Sequence, residues 1–152
     1  MKIALMLCMF FLALSSASAA PEASRAQESA NDKSNQAKSW YDEGVKQAKE
    51  NNYEKALEFF QKAVASEPNN PSVLNMLAFT QRKLGKLDEA FANYEKALSI
   101  RNKFPEAREY LGEAHIQAAL KQIDILKSYG DDAKEEHEDL VRALKDAAAA
   151  VN

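Results

Sequence analysis

The chain has 152 residues, 28% of them charged, with 23 acidic against 20 basic side chains and a net charge of −3. No stretch concentrates Lys and Arg, which argues against nucleic acid as a partner, because phosphate backbones demand a dense basic footprint. A single cysteine, Cys8, excludes a disulfide framework within one chain.

The first element is a targeting segment. Lys2 supplies one positive charge, residues 3–14 are apolar apart from the Cys8 thiol, and residues 15–20 are only Ser and Ala. A basic start, an apolar core and a small-residue exit are the three parts of a secretory signal, here with cleavage expected after Ala19. A spanning helix needs about 20 apolar residues, more than this run provides. Cleavage would remove Lys2 and Cys8, leaving 19 basic side chains against 23 acidic ones, a net charge of −4 and no thiol. The expected location is the periplasm or the secreted space, with no stable membrane insertion after cleavage.

Residues 20–37 form a leader of Ala, Ser, Asn, Gln and charged side chains, without an aromatic or a branched aliphatic. Such a segment cannot bury enough apolar area to offset its ordering entropy, so a disordered leader is expected, with order from Trp40. The folded domain is then 38–152.

Beyond it the chain repeats itself. A shift of 34 residues carries Trp40 onto Leu74, Gly44 onto Ala78, Tyr53 onto Leu87, Ala56 onto Ala90, Phe60 onto Tyr94 and Ala63 onto Ala97. A second shift carries Ala78 onto Gly112 and Pro71 onto Pro105. Asn51-Asn52 and Gly85-Lys86 mark turns within each unit, and Asn70-Pro71 offers an N-cap with proline at the first helical position. Helices are expected at 38–50, 53–66, 71–84 and 87–100. Glycine costs about 1 kcal/mol relative to alanine inside a helix, so Gly44 and Gly112 are expected at close helix contacts. Ala56 and Ala90 would face the small sites, with Trp40 against Phe60 and Leu74 against Tyr94 at their ends.

The residues Trp40, Gly44, Tyr53, Ala56, Phe60, Ala63 and Pro68 resemble the tetratricopeptide-repeat (TPR) signature. Leu74, Leu77, Ala78, Gly85, Ala90, Tyr94 and Ala97 repeat it. Glu43, at a position usually apolar, and Asn102, where a closing proline is common, depart from it. The resemblance covers residues 37–115 and implies an all-α helix-turn-helix solenoid, with full repeats at 37–70 and 71–104. The third unit is degenerate, because it opens with Tyr110-Leu111-Gly112-Glu113-Ala114 and then lacks the Gly or Asn turn. One long helix is expected over 105–128, ended by Gly130 and followed by a capping helix at 131–150. In that last segment Ala133, His137, Leu140, Val141, Leu144, Ala148 and Val151 share one helical face.

No catalytic or metal-binding constellation is present. The only histidines, His115 and His137, fall on different expected helices and carry none of the companions that a zinc site requires. His115 sits at a repeat position suited to packing. The acidic run 131–139 reads as a helix start complementing its dipole, because no calcium-loop spacing accompanies it. No cofactor and no enzymatic activity are expected.

The resemblance implies instead a concave groove lined by the first helix of each unit, holding a protein or peptide partner. Its positions in this chain are Lys38, Tyr41, Val45 and Ala48, then Asn75, Phe79, Arg82 and Lys83, then Glu106, Glu109, Glu113 and Ile116. Tyr41, Val45 and Phe79 would supply apolar contact, Asn75 a hydrogen bond to a peptide backbone and Arg82 a partner for a carboxylate. Glu109 and Glu113 complete the lining. Phe79 packing against the next repeat is an equal reading of that residue. The carboxylate clamp of some TPR domains needs Lys, Asn and Arg where this chain has Tyr41, Val45, Met76, Glu106 and Tyr110. The alternative function is structural, a homo-oligomer built through the groove or the solenoid ends.

Overall fold

Six α-helices and one 3-10 turn, with no strand, make up residues 19–150, the part of the chain that the computed structural model describes. They are α1 (Ala19–Lys49), α2 (Tyr53–Ser66), α3 (Pro71–Lys83), α4 (Leu87–Ile100), α5 (Pro105–Ser128), the turn Gly130–Ala133 and α6 (Lys134–Ala149). The expected signal core before residue 19 lies outside the described residues, as does Val151.

Local chemistry explains the boundaries. Asn51 adopts φ 60° and Gly85 adopts φ 75°, so the two left-handed turn residues stand one repeat apart and reverse the chain between paired helices. The Asn70 side chain accepts from the Ser72 and Val73 backbone amides at 3.0 and 3.3 Å, capping α3, while Pro71 fills its first position. Pro105 likewise stands at the start of α5, there after Phe104 and without a side-chain cap. One repeat beyond Gly85 the chain has Ala119, which stays helical, and α5 continues to Ser128. Gly130, at φ 69°, ends that run.

The start of α1 departs from expectation. The segment read as a disordered leader is helical from Ala19, and burial begins at Ala37 rather than Trp40. Residues 25–36 are exposed on every side. Their Ala, Gln, Glu, Lys and Arg are good helix formers, and extending a helix already nucleated by packing costs little per residue.

Packing follows the repeat. α1 pairs with α2 and α3 with α4; α1 also touches α3, and α3 touches α5, whereas α2 and α4 do not meet. The first helices of the units therefore form a contiguous inner layer, and the second helices splay on the outside. That asymmetry curves the solenoid, with its concave side on α1, α3 and α5. α6 packs only on α5 and the preceding turn.

The core has two centres. Ala48, Ala56, Phe60 and Leu77 form the first, and Ala78, Ala90, Tyr94 and Ala114 the second. Gly44 serves as a close-contact site: a Cβ added there would stand 2.8–2.9 Å from the Phe60 ring. Phe60 pairs edge-on with Tyr41, centroids 5.8 Å apart, whereas the expected partner Trp40 lines an outer cleft with Phe59. Gly112 does not mark a contact. It is exposed, and nothing lies within 4 Å of a Cβ placed on it. In the third unit Ala107 and Ala114 are the fully buried positions of α5, Ala114 within the second core centre.

Candidate functional site

The concave layer brings most of the expected lining residues together, though not in the roles assigned to all of them. Tyr41 and Val45 are half-buried on α1 and pack onto the first core centre, so their outer edges form one wall. Burial, and then the Asp42 carboxylate beside it, push the Tyr41 phenol above its ordinary pKa. Lys38, on the same face, is held by Asp42 at 2.7 Å. Tyr41 and Lys38 also edge a cleft of about 470 Å³ that reaches Glu67, Asn70 and Arg101.

The floor is α3. Asn75, Phe79 and Arg82 recur at intervals of four and three residues and so share one face. Phe79 is half-buried between Tyr53 and Tyr110, with centroids 6.3 and 5.2 Å away. Its packing against the next unit is therefore real, and part of the ring still faces the groove. The cations of Arg82 and Lys83 lie 5.6 and 5.4 Å from its centroid, a geometry that favours ring and charge alike.

Arg82 is not the free cation that was expected. It is 7% exposed and forms an ion pair with Glu113 of α5, whose side chain is 44% exposed. A guanidinium buried to that degree needs a partner, because leaving it unpaired in low dielectric is costly. The tertiary fold supplies that partner from within the chain. One turn before Glu113, Tyr110 leans on both Phe79 and Tyr94, the latter with centroids 6.5 Å apart. Tyr110, which the resemblance set at a clamp position but not among the expected lining contacts, thus belongs to the lining. Its aromatic character one repeat beyond Met76 was the available signal.

Three buried polar atoms find no hydrogen-bond partner among the described residues: Asn75 Oδ1, Arg82 Nε and the Tyr94 hydroxyl. Asn75 is 4% exposed and Tyr94 is fully buried. Burial pushes the Tyr94 phenol up to about 12, while the Arg82 guanidinium beside it pulls the other way without reaching hydrogen-bond geometry. Unsatisfied groups of this kind cost about 1–3 kcal/mol each, and such atoms are rare in native proteins.

The third wall is α5. Glu106, Glu109 and Glu113 recur at intervals of three and four residues, and Ile116 and Leu120 continue the same stripe, 57% and 51% exposed. Glu106 and Glu109 are exposed, with no ion pair among the described residues. His115 leaves this stripe and is exposed, with its ring 4.7 Å from that of Phe91, and His137 lies on α6. No group of His, Cys, Asp and Glu suited to a metal ion occurs among the described residues, and no helix there is long and apolar enough to cross a membrane.

Comparison with known proteins agrees with this architecture. Models described as tetratricopeptide repeat match residues 37–70 and 59–92, and one described as TPR repeat matches 80–118. A TPR repeat-containing protein of Methanocaldococcus jannaschii is 40% identical over 68 residues, which is 45% of this chain and 12% of that protein. The chain thus spans about an eighth of that relative's length. A solved structure, the first TPR of Spaghetti (RPAP3) bound to HSP90 peptide SRMEEVD, is similar with a TM-score of 0.55 and 20% identity. The match covers 74% of this chain and 95% of that one, and the likeness concerns the fold.

Proposed function

We propose, from the premise that this chain belongs to the tetratricopeptide-repeat family, that it is a non-catalytic scaffold holding a segment of another protein in its concave face. The observation that carries this reading is the floor of the groove. There the half-open ring of Phe79 lies between Tyr53 and Tyr110, with the Arg82 and Lys83 cations beside it. A chain segment laid across α3 would cover the ring. TPR proteins are generally scaffolds, and the solved neighbour carries a peptide.

The same reading places the protein in the periplasm or the secreted space, on the strength of the basic start, apolar core and Ala17-Ser18-Ala19 exit. N-terminal sequencing of the protein from its own cells should begin at Ala20. A start at Met1 would overturn that placement.

Affinity capture of residues 20–152 tests the groove. A partner protein retained by the wild type should be lost from Phe79→Ala, with helical content unchanged by circular dichroism. Equal retention by the variant would remove the groove from the account. The acidic peptide SRMEEVD is expected not to bind, because the clamp positions hold Tyr41, Val45, Met76, Glu106 and Tyr110.

A second reading is self-association, favoured by the exposure of Ile116 and Leu120 on α5 and of Tyr129 just beyond it. Light scattering that stays at monomer mass up to high concentration would exclude it.

A further inference from the structure

Resting on the groove reading above, we infer that the segment this protein holds is basic and apolar, presenting a Lys or Arg to the wall formed by α5 and an aliphatic residue beside it. Two of the three expected groove cations have a carboxylate inside the chain, Lys38 with Asp42 and Arg82 with Glu113, while Lys83 lies over the Phe79 ring and keeps its charge. The carboxylates Glu106 and Glu109 have no ion-pair partner among the described residues and share their face with Glu113. Two unmatched carboxylates against the one cation of Lys83 leave the excess charge of the lining negative, and that excess sits on α5. An anionic segment would meet two free carboxylates and a guanidinium already taken by Glu113.

The open part of the Phe79 ring on α3 and the exposed stripe of α5 say where the segment runs. A strand lying over α3 has one edge along α5. Its side chains there meet Glu106 and Glu109, then Ile116 and Leu120, which are 57% and 51% exposed. Acidic and apolar patches in series on one helix face fit a segment that carries both characters in the same order. The net charge of −3 also favours encounter with a cationic partner.

The test is selection from a display library of random linear peptides on the full mature chain, repeated on Glu109→Lys and on Phe79→Ala. Glu109 is exposed and makes no ion pair, so its reversal leaves the fold intact. Peptides enriched by the wild type should carry Lys or Arg beside Leu, Ile or Val. A synthetic copy of the strongest, read by fluorescence anisotropy, should lose about threefold to tenfold in affinity with Glu109→Lys. That difference should shrink in about 0.5 M salt, where surface charges are screened. Enriched peptides that are acidic, or that bind Glu109→Lys as well as wild type while Phe79→Ala abolishes binding, would overturn the charge inference and leave the groove reading standing. No enrichment, or binding indifferent to both substitutions, would remove the groove reading and this inference with it. A second copy of the chain on this face, seen as a dimer that Glu109→Lys disperses, would overturn the inference as well.

Discussion

The first and third units begin alike and end differently. Both open with a helix that carries a glycine at the same repeat position, Gly44 in one and Gly112 in the other. In the first unit the chain turns at Asn51 and folds α2 back, so that the Phe60 ring lies against Gly44. In the third unit Ala119 takes the turn position, α5 runs on, and no second helix returns over Gly112. One residue with left-handed tolerance thus separates a packed helical hairpin from an extended helix. The consequence reaches the groove, because the uninterrupted α5 carries Ile116 and Leu120 beyond the acidic part of its face.

The comparison breaks most sharply at the glycines. Gly44→Ala should cost about 1–3 kcal/mol, because the Phe60 ring must move to admit a methyl group. Chemical denaturation measures this directly, and an unchanged midpoint would mean that the ring does not rest there. A loss next in size, about 1–2 kcal/mol, is expected for Glu113→Ala, which strands the buried Arg82 guanidinium. Glu109→Ala, one turn away and unpaired, should change stability by less than about 0.5 kcal/mol.

The turns give a smaller pair. Gly85→Ala places a Cβ on a residue with φ 75° and should cost about 1 kcal/mol. Gly112→Ala removes a helical glycine with free space around it and should raise stability by roughly 0.5–1 kcal/mol. The same substitution type thus changes sign between units. Two losses, or two gains, in thermal melts would refute the contrast.

The subtlest prediction concerns Tyr94. Its phenol is neutral below the unfolded value of 10.0 and is held neutral in the fold up to about 12. The folded protein therefore keeps a proton that the unfolded chain releases. Stability is full below pH 10 and is lost progressively as pH rises towards 12. Tyr94→Phe should flatten that part of the pH–stability curve, and an identical alkaline decline in both proteins would contradict the burial of this hydroxyl.

Most of the fold was legible because the repeat encodes it redundantly. The bounds of α2, α4 and α5 coincide with those expected from Asn52, Lys86, Pro105 and the small-residue spacing, and α3 ends one residue early. The leader was misread because its composition speaks to burial, whereas its helix is propagated from α1. Lining residues were legible as register positions on the first helix of each unit. Their states were not, since whether Arg82 is free or taken depends on a carboxylate 31 residues away, on another helix.

The sequence by itself determined the period, the turn residues, the caps and the faces on which Tyr41, Phe79 and Glu109 fall, since these are properties of dihedral preference and helical spacing. Only the tertiary structure decided which glycine is compressed, which cation is neutralised and which polar atoms are left without a partner. Those outcomes depend on distances between helices, which a periodic pattern constrains to a layer but does not measure.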